Sequence, residues 1–352
     1  MRRRERCPVC SGEPTETLVD LAYTEPPLSE FIEGYYGGRV DVSHLEDGTY
    51  RIDYCADCDL YWKAYVLDDD GMAALYAEWI PDADSAYYRA AKYDWSAVST
   101  RMEHFSRIVG RLDRHPSDLA VLDYGMGWGP FARVANAAGC AVYGYEVADR
   151  KVRVARENGI EATDSLEDLR SVDFDYVHLN QVLEHVPDPA AAVETVADLL
   201  GDDGICYLAV PNAAYYGPFD ERLVTRRVNQ FHPLEHVNGF TRSSLLELGA
   251  RAGLQPVEST PLLFRSVPRG VLWSVLARTN LKRPLQRAVS VPAVRSVLQS
   301  LYARFRDEEV KYDFDASPTT DDLPAPSEEG GLLGAVDFLF SDATSVLFRP
   351  VA

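Results

Sequence analysis

The sequence predicts an α/β protein built on a doubly wound parallel sheet, with a small cysteine-containing module at its amino terminus. Short apolar segments alternate with amphipathic ones from Leu119 to Val210, which is typical of strands and helices that follow each other in a parallel sheet. A glycine-rich loop follows the first of these strands, and two Cys-x-x-Cys pairs precede the whole region. These three observations set the architecture that we expect.

Length and composition limit the classes of protein to be considered. The chain has 352 residues, of which 46% are hydrophobic, enough for a full core and more than one module. Neither a membrane-spanning apolar run nor a signal-type apolar segment follows the basic start MRRR. We therefore expect a cytoplasmic protein, and we interpret the basic start as a solvated tail.

The chain is strongly acidic, with a formal net charge of −20 from 55 acidic residues against 35 lysines and arginines. Such a surface repels nucleic acid and anionic membranes. An acid-rich, lysine-poor composition also resembles that of cytoplasmic proteins from salt-accumulating microbes. If the protein is halophilic, its charge reflects its habitat and says little about its substrate.

Residues 1–70 are predicted to form a zinc-binding module. A two-residue spacer lets both thiolates of a pair face one ion, so two pairs supply the four ligands of a closed, structural Zn²⁺ site. Redox-active or unpaired cysteines are the alternative. Strands are expected at Tyr50–Tyr54 and Leu60–Val66, with extra strands around Gly37-Gly38 and Asp47-Gly48. The predicted zinc ligands are Cys7, Cys10, Cys55 and Cys58.

Residues 71–118 are predicted to be a helical connector. Helices are expected at Met72–Trp79 and Tyr93–Leu112, and Pro81 is expected to stop the first of them because proline cannot continue a helix. The run Tyr87-Tyr88-Arg89 lies between the two helices. Its aromatic rings either pack against the sheet or close over a bound cofactor.

The stretch from Leu119 to Glu146 is the central element of the sequence. It reads as a buried strand, a loop with three alternate glycines, a helix and a second strand that ends in the acid. Glycines let a ligand approach the backbone closely. Pro130 suits the first helical turn, because the N–H that it lacks would have no partner there. The loop glycines are Gly125, Gly127 and Gly129.

Further strands and helices complete a nucleotide-binding domain at residues 119–265. An insertion at 266–340, basic and helical at first and then polar, separates it from a last strand within 341–352, at Thr344–Pro350. The other expected strands are Ile160–Thr163, Phe174–Leu179, Ile205–Val210 and Val257–Arg265, and the expected helices include Asp149–Asn158, a helix that begins at Pro189, and Thr241–Gly253.

Three separated motifs resemble those of class I S-adenosylmethionine-dependent methyltransferases. They are VLDYGMGWG from Val121, FDYV from Phe174 together with LEHVPDP from Leu183, and FTRSSL from Phe240. The resemblance implies a Rossmann-like, seven-stranded sheet and S-adenosylmethionine (SAM) as the cofactor. The competing dinucleotide fingerprint requires a glycine where Pro130 stands.

The resemblance also implies which residues bind the cofactor. The loop glycines at 125 and 127 approach its methionine part, with Asp123 near the same end and Glu146 on the ribose hydroxyls. Asp164 either reaches the adenine or belongs to a solvated turn. Asn180 and Gln181 follow the fourth strand, at the edge where ligands bind in open α/β sheets.

The loop after the fifth strand is the candidate acceptor side. It carries His232 and His236 with Glu235 between them, and a histidine beside a carboxylate suits a general base because its charge changes near neutral pH. The alternative is that His236 and Asn238 only cap or pack the following helix. Three arginines of the loop either grip an acidic group of the acceptor or form a polar helix face. They are Arg222, Arg226 and Arg227.

The cysteine module further resembles that of a subgroup that includes nucleotide-sugar C-methyltransferases. This resemblance implies a small polar acceptor, such as a sugar or nucleotide-sugar, methylated on carbon or oxygen. The alternatives are an RNA or protein methyltransferase that docks through its zinc module, and a binding protein that keeps the SAM pocket without catalysis. The insertion at 266–340 is expected to shape specificity, form a homodimer or touch a membrane surface.

Overall fold

The structure is a computed structural model that describes residues 1–80, 95–213, 231–257 and 343–351. The connector run Tyr87-Tyr88-Arg89, the three loop arginines and the insertion at 266–340 lie outside these ranges. Within them, no helix combines the length and the apolar character needed to cross a bilayer.

The amino-terminal module is a small antiparallel sheet with one helix packed on it. Its elements are β1 (Arg2–Arg3), β2 (Glu16–Ala22), α1 (Leu28–Tyr36), β3 (Thr49–Cys55), β4 (Leu60–Lys63) and β5 (Tyr65–Val66). Strand β3 pairs with β2 on one side and with β4 on the other, and β1 pairs with β5. The strands expected at Tyr50–Tyr54 and Leu60–Val66 are therefore confirmed.

Two interpretations of this region are wrong. A strand was expected around Gly37-Gly38, but Gly37 instead ends α1 in a left-handed conformation with φ +59°. The helix forms because Leu28, Phe31 and Ile32 recur at helical spacing and are buried on one face. The basic start is not a solvated tail either, since the backbone of residues 2 and 3 is paired in β1.

The connector contains the two helices that the sequence predicts. Helix α2 (Asp69–Ala74) begins at Asp68, whose side chain accepts a hydrogen bond from the Gly71 amide, and it continues as a π-helical turn over Leu75–Trp79. Helix α3 (Trp95–Val109) precedes the large sheet and packs against it through Phe105 and Ile108.

The second part of the chain forms one seven-stranded mixed sheet flanked by helices. The strand order is β12-β13-β10-β9-β6-β7-β8, parallel from β10 to β8, with β13 antiparallel to both of its neighbours. This is the expected Rossmann-like sheet. Its elements are β6 (Ala120–Tyr124), α4 (Pro130–Ala137), β7 (Ala141–Tyr145), α5 (Asp149–Glu157), β8 (Glu161–Thr163), β9 (Phe174–Asn180), α6 (Pro189–Leu199), β10 (Leu200–Pro211), β11 (Asn238–Gly239), α7 (Arg242–Arg251), β12 (Leu254–Pro256) and β13 (Ala343–Pro350).

The sixth strand begins earlier in the chain than expected. The sequence predicts it at Val257–Arg265, whereas among the described residues β12 occupies Leu254–Pro256, and the Val257 amide extends the pairing by a hydrogen bond of 2.8 Å to the carbonyl of Leu347. Residues 258–265 lie outside the described ranges. The helix before β12 ends at Arg251, and Gly253 lets the chain turn directly into the sheet with φ +74°.

The large sheet is buried on both faces. Phe131 of α4 and Phe105 of α3 pack on one face, while Val193 of α6 and Leu245 of α7 pack on the other. Fully burying one such side chain stabilises the fold by about 1.5–3 kcal/mol. The sheet is therefore a rigid platform that fixes where its loops stand.

The amino-terminal module is joined to the large domain through a shared strand. Strand β11 belongs to the module's sheet, where Asn238 pairs with Trp62 and Gly239 with Tyr61 of β4. The residues just before β11 are those of the candidate acceptor loop. The module thus forms part of the wall around that loop.

Candidate active site

The glycine loop runs from β6 into α4, and two of its glycines are required for different reasons. Gly125 and Gly127 both have left-handed backbones, with φ +69° and +57°. A Cβ on Gly125 would lie 2.6 Å from a methyl carbon of Val182, whereas a Cβ on Gly127 would have no other atom within 4 Å. Gly125 thus allows close packing below the loop, and Gly127 faces open space above it.

Glu146 is fixed beside this open space. It is 7% exposed, and its Oε2 accepts a hydrogen bond of 2.9 Å from the Gly127 amide while its Oε1 accepts one of 3.0 Å from the Ala148 amide. The ammonium group of Lys151 lies 3.6 Å from the same Oε1. Each carboxylate oxygen can accept a further hydrogen bond, so the group can still receive two ligand hydroxyls.

Asp123 supports the loop from beneath. Its side chain is 4% exposed, and Oδ2 accepts a hydrogen bond of 3.1 Å from the Ala132 amide in the first turn of α4. A carboxylate is favourable there because the first amides of a helix have no partner within the helix. The structure thus shows Asp123 holding the helix that follows the loop, and direct contact with a cofactor stays a prediction.

The other predicted cofactor residues lie at the same edge of the sheet. Asp164 follows β8, Asn180 ends β9 and Gln181 comes next, and all three side chains are exposed. Gln181 has an unusual φ of +61°, and its amide donates a hydrogen bond of 2.8 Å to Ala209 of the neighbouring strand. The edge therefore presents polar groups on either side of the glycine loop.

Val147 is a site residue that the sequence analysis missed. It directly follows Glu146 and is 63% exposed, although it is a large apolar side chain beside an otherwise polar crevice. The guanidinium of the neighbouring Arg150 lies 5.7 Å from the ring centre of Trp128 in the glycine loop. Val147 thus offers an apolar surface next to the carboxylate. An exposed valine at the end of a strand carries no signal in the sequence.

The structure places His232 and His236 against different partners. His232 is 4% exposed, and its ring packs against Tyr35 and Tyr36 of α1. Its Nδ1 lies 3.2 Å from the oxygen of the Tyr36 hydroxyl, and that hydroxyl donates its proton to Oε1 of Glu235 at 3.2 Å. His232 and Glu235 are therefore tied to the amino-terminal module.

His236 instead stacks edge-on against His185, with ring centres 4.6 Å apart. Nδ1 of His185 lies 3.1 Å from the carbonyl oxygen of Glu235, so Nδ1 carries the proton and Nε2 is the acceptor nitrogen of the neutral ring. His185 and His236 thus form one histidine cluster, although the sequence pattern alone did not favour His185 as a base.

Glu184 completes this cluster. Its carboxyl group is 1% exposed, and neither oxygen has a hydrogen-bond partner among the described residues. Burial raises the pKa of Glu184 to about 8, so the group stays protonated near neutral pH. Ligand atoms of Glu184, His185 and His236 all lie within 4.8 Å of one another, so the three side chains form one polar cluster.

Tyr76 connects the two sides of the crevice, and the sequence analysis missed it. Its ring centre lies 6.4 Å from that of His185. Burial and then the nearby carboxylates of Glu235, Glu184 and Glu146 raise the pKa of its hydroxyl far above the usual value. Tyr76 is therefore close to both the acceptor-side acids and the acid of the glycine loop.

The four cysteines of the amino-terminal module converge on one point. Sγ of Cys7 lies 3.5 Å from Sγ of Cys58, and Sγ of Cys10 lies 3.4 Å from Sγ of Cys55. All four sulfurs lie within 4.8 Å of one another, and none forms a disulfide. Four sulfurs around a tetrahedral zinc at 2.3 Å would be about 3.8 Å apart, so the residues fit this ion.

Comparison with known proteins agrees with this geometry. A family model described as "Methyltransferase domain" matches residues 95–259. An enzyme of Bordetella avium called "Ubiquinone biosynthesis O-methyltransferase" is 28% identical over 203 residues, covering 53% of this chain and 79% of that protein. Proteins of the same name from Leptothrix cholodnii and Xanthomonas axonopodis are 28% and 34% identical over 123 and 122 residues, covering 32% of this chain each and 51% and 49% of those proteins.

Solved structures of methyltransferases are less similar to the chain in sequence. A methyltransferase from Mesorhizobium loti is 20% identical, covers 51% of this chain and 91% of its own, and superposes with a TM-score of 0.38. A coclaurine N-methyltransferase bound to N-methylheliamine and SAH is 14% identical, and the match covers 72% of this chain and 73% of that one with a TM-score of 0.41. Scores this low carry no weight for the acceptor or the reaction.

Proposed function

The chain carries a class I S-adenosylmethionine-dependent methyltransferase domain, and we propose that it methylates a small polar acceptor held between the glycine loop and the histidine cluster. One observation carries this proposal. The ring of Tyr76 lies 6.4 Å from that of His185 on the acceptor side, and besides burial the carboxylates of Glu235 and, on the cofactor side, Glu146 contribute to the raised pKa of its hydroxyl. A cofactor on Glu146 and an acceptor on the histidines would therefore be neighbours.

SAM would be held by the backbone of Gly127, the carboxylate of Glu146 and the apolar face of Val147. Gly127 leaves open space where the cofactor must approach, and Glu146 keeps acceptor capacity for two hydroxyls. When bound, SAM supplies an electrophilic methyl group on a sulfonium. Asp164, Asn180 and Gln181 line the same sheet edge and would complete the polar wall.

His236 is the proposed general base. It is half-buried and lies against His185, whose proton on Nδ1 is fixed by the Glu235 carbonyl. An acceptor hydroxyl or acidic carbon would give its proton to the imidazole and its electron pair to the methyl carbon, whose bond to the sulfonium sulfur would break with both electrons left on sulfur, so that S-adenosylhomocysteine leaves. His232 is enclosed by aromatic rings of α1, and we propose that it supports Glu235.

The acceptor class follows from the chemistry of this side. Imidazole, carboxyl and phenol groups can hydrogen-bond hydroxyls, which suits a sugar or nucleotide-sugar. The relatives called ubiquinone biosynthesis O-methyltransferases favour oxygen as the methylated atom. Both considerations support O-methylation of a small hydroxylated molecule as the first reaction to test.

We further propose that Cys7, Cys10, Cys55 and Cys58 hold one structural Zn²⁺. Four thiolate ligands leave no open position, so the ion would stabilise the module without taking part in the reaction. Cys58 precedes β4 and Cys55 ends β3, so the ion would fix both strands.

Methyl transfer can be tested by measuring S-adenosylhomocysteine release. Purified protein, SAM and a panel of nucleotide-sugars, free sugars and hydroxylated aromatic compounds should give release with at least one acceptor. General base catalysis is worth about 10²–10⁴-fold, so His236→Ala should lower turnover at least about a hundredfold with SAM affinity unchanged. His115→Ala, an exposed histidine outside the site, is the matched control. Equal turnover of both variants would place the base elsewhere.

A further inference from the structure

Two cations of the amino-terminal module have no role in the proposed reaction, yet both are turned inward towards the acceptor loop. Lys63 of β4 is 1% exposed. Its ammonium group donates a hydrogen bond of 2.6 Å to the carbonyl oxygen of His232 and another, shorter one to that of Pro233. The face of the Tyr50 ring lies 4.9 Å away. The hydrogen bonds of this lysine thus go to backbone carbonyls of the acceptor loop.

Arg4 uses its guanidinium in the same way. Nη1 donates to the Pro187 carbonyl at 2.9 Å and to Oδ1 of Asn238 at 2.8 Å, and Nη2 donates to the Val237 carbonyl at 2.7 Å. Nε and Nη2 also bind the carbonyl of Lys63, at 3.0 and 2.8 Å. One planar fork therefore joins the module to two separate loops of the methyltransferase domain.

The backbone that these cations hold is the backbone that carries the histidine cluster. His185 lies two residues before Pro187, and His236 directly precedes Val237. The amides of Val237 and Asn238 both donate to the Glu184 carbonyl, at 2.7 and 3.1 Å. The Asn238 side chain donates to the carbonyls of Leu183 and Val186, at 2.9 and 2.7 Å.

We propose that Arg4 and Lys63 are positioning residues of the acceptor site, which set the separation of His185 and His236 by clamping the two loops that carry them. The proposal goes beyond the chemistry proposed above, and for its activity readout it rests on that function. It assigns to the amino-terminal module two residues that position the side chains of the acceptor site.

Hydrogen-bond donors in fixed directions are essential to this role. Taking a cation out of water is unfavourable unless hydrogen bonds compensate, and neither group forms an ion pair with a carboxylate among the described residues. An apolar side chain could fill the same volume but could not fix four carbonyl groups at hydrogen-bond distance. A positional error of about 1 Å in a catalytic group can lower a rate by about 10²-fold.

The test compares Arg4→Gln and Lys63→Met with Arg3→Gln, an arginine of β1 with an exposed side chain. Arg4→Lys is the conservative variant, because it keeps the positive charge but loses the planar guanidinium group and its several N–H donors. SAM affinity by calorimetry shows whether each variant keeps the folded crevice, and nuclear magnetic resonance titration of the histidine rings reports the pKa values of His185 and His236 without needing an acceptor.

We expect Arg4→Gln, Arg4→Lys and Lys63→Met to bind SAM within about threefold of wild type, to shift the ring titration of His185 or His236, and to lose at least about tenfold in kcat with the acceptor found above. Arg3→Gln should change none of these. Unchanged titration and kcat in all three variants would overturn the proposal, even if thermal stability falls. Because the titration needs no acceptor, it decides the proposal even if the proposed reaction fails.

Discussion

The two glycines of the loop between β6 and α4 allow a paired test of how the crevice is built. Gly125→Ala and Gly127→Ala place the same methyl group on nearly the same backbone, with φ +69° and +57°. A left-handed conformation is less favourable for alanine by about 1–2 kcal/mol at either position. Only Gly125→Ala also meets neighbours, because two methyl carbons of Val182 would lie 2.6 and 3.1 Å from the new Cβ.

Overpacking of this kind destabilises a protein by about 1–3 kcal/mol. We therefore expect Gly125→Ala to lower the free energy of unfolding by about 2–5 kcal/mol, and Gly127→Ala by about 1–2 kcal/mol. For SAM affinity we expect the opposite order, with the larger loss in Gly127→Ala. The methyl of Gly127→Ala enters the open space beside Glu146, and a loss of about 1.4 kcal/mol there weakens binding about tenfold.

Urea unfolding measures the first quantity and calorimetric titration with SAM measures the second. The double variant Gly125→Ala/Val182→Ala separates overpacking from backbone strain. Removing the Val182 methyls relieves the contact with the new Cβ but leaves the left-handed backbone strained. The coupling between the two substitutions should be about 1–2 kcal/mol. Equal destabilisation by the two glycine substitutions, or no coupling with Val182, would refute this account of the loop.

Three further predictions concern other parts of the site. Metal analysis should find about one Zn²⁺ per chain, lost in Cys58→Ser, and less than about half an equivalent in the wild type would contradict the four-cysteine site. The pKa of Glu184 is about 8 when folded against 4.5 ordinarily, so the folded state keeps a proton that the unfolded chain loses. The free energy of unfolding should thus fall as pH rises from about 4.5 to about 8, and Glu184→Gln should abolish this part of the pH dependence; an equal slope in both proteins would argue against it. His232→Ala should lower stability by about 1–3 kcal/mol and impair turnover less than His236→Ala does, and the reverse order would restore His232 as the base.

Much of the large domain could be predicted from the sequence because its signals are local. Mainly apolar segments of five and seven residues mark β6 and β9, and Pro130 and Pro189 mark helix starts where a missing N–H is harmless. Glu146 was found because an acid at the end of the second strand stands at a fixed place relative to the glycine loop. In each case the residues that decide the structure are close together in sequence.

The acceptor side could be predicted only in part, because its decisive contacts join distant residues. His232 and His236 look equivalent in sequence, yet Tyr36 of α1 contacts one of them and His185 the other. Tyr76 and Val147 carry no pattern that separates them from ordinary helix and loop residues. Arg4 was read as part of a solvated tail because charge in a short basic run usually faces water, and only the partner loops reveal where it binds.

The measurement that most directly tests the central claim is calorimetric titration of SAM into the wild-type protein and into Glu146→Ala. The crevice beside Gly127 should bind one SAM per chain, and Glu146→Ala should weaken binding at least about tenfold, because it removes an acceptor of charge-assisted hydrogen bonds. Absence of binding to the wild type, or equal affinity of the two proteins, would contradict the assignment of this crevice as the cofactor site.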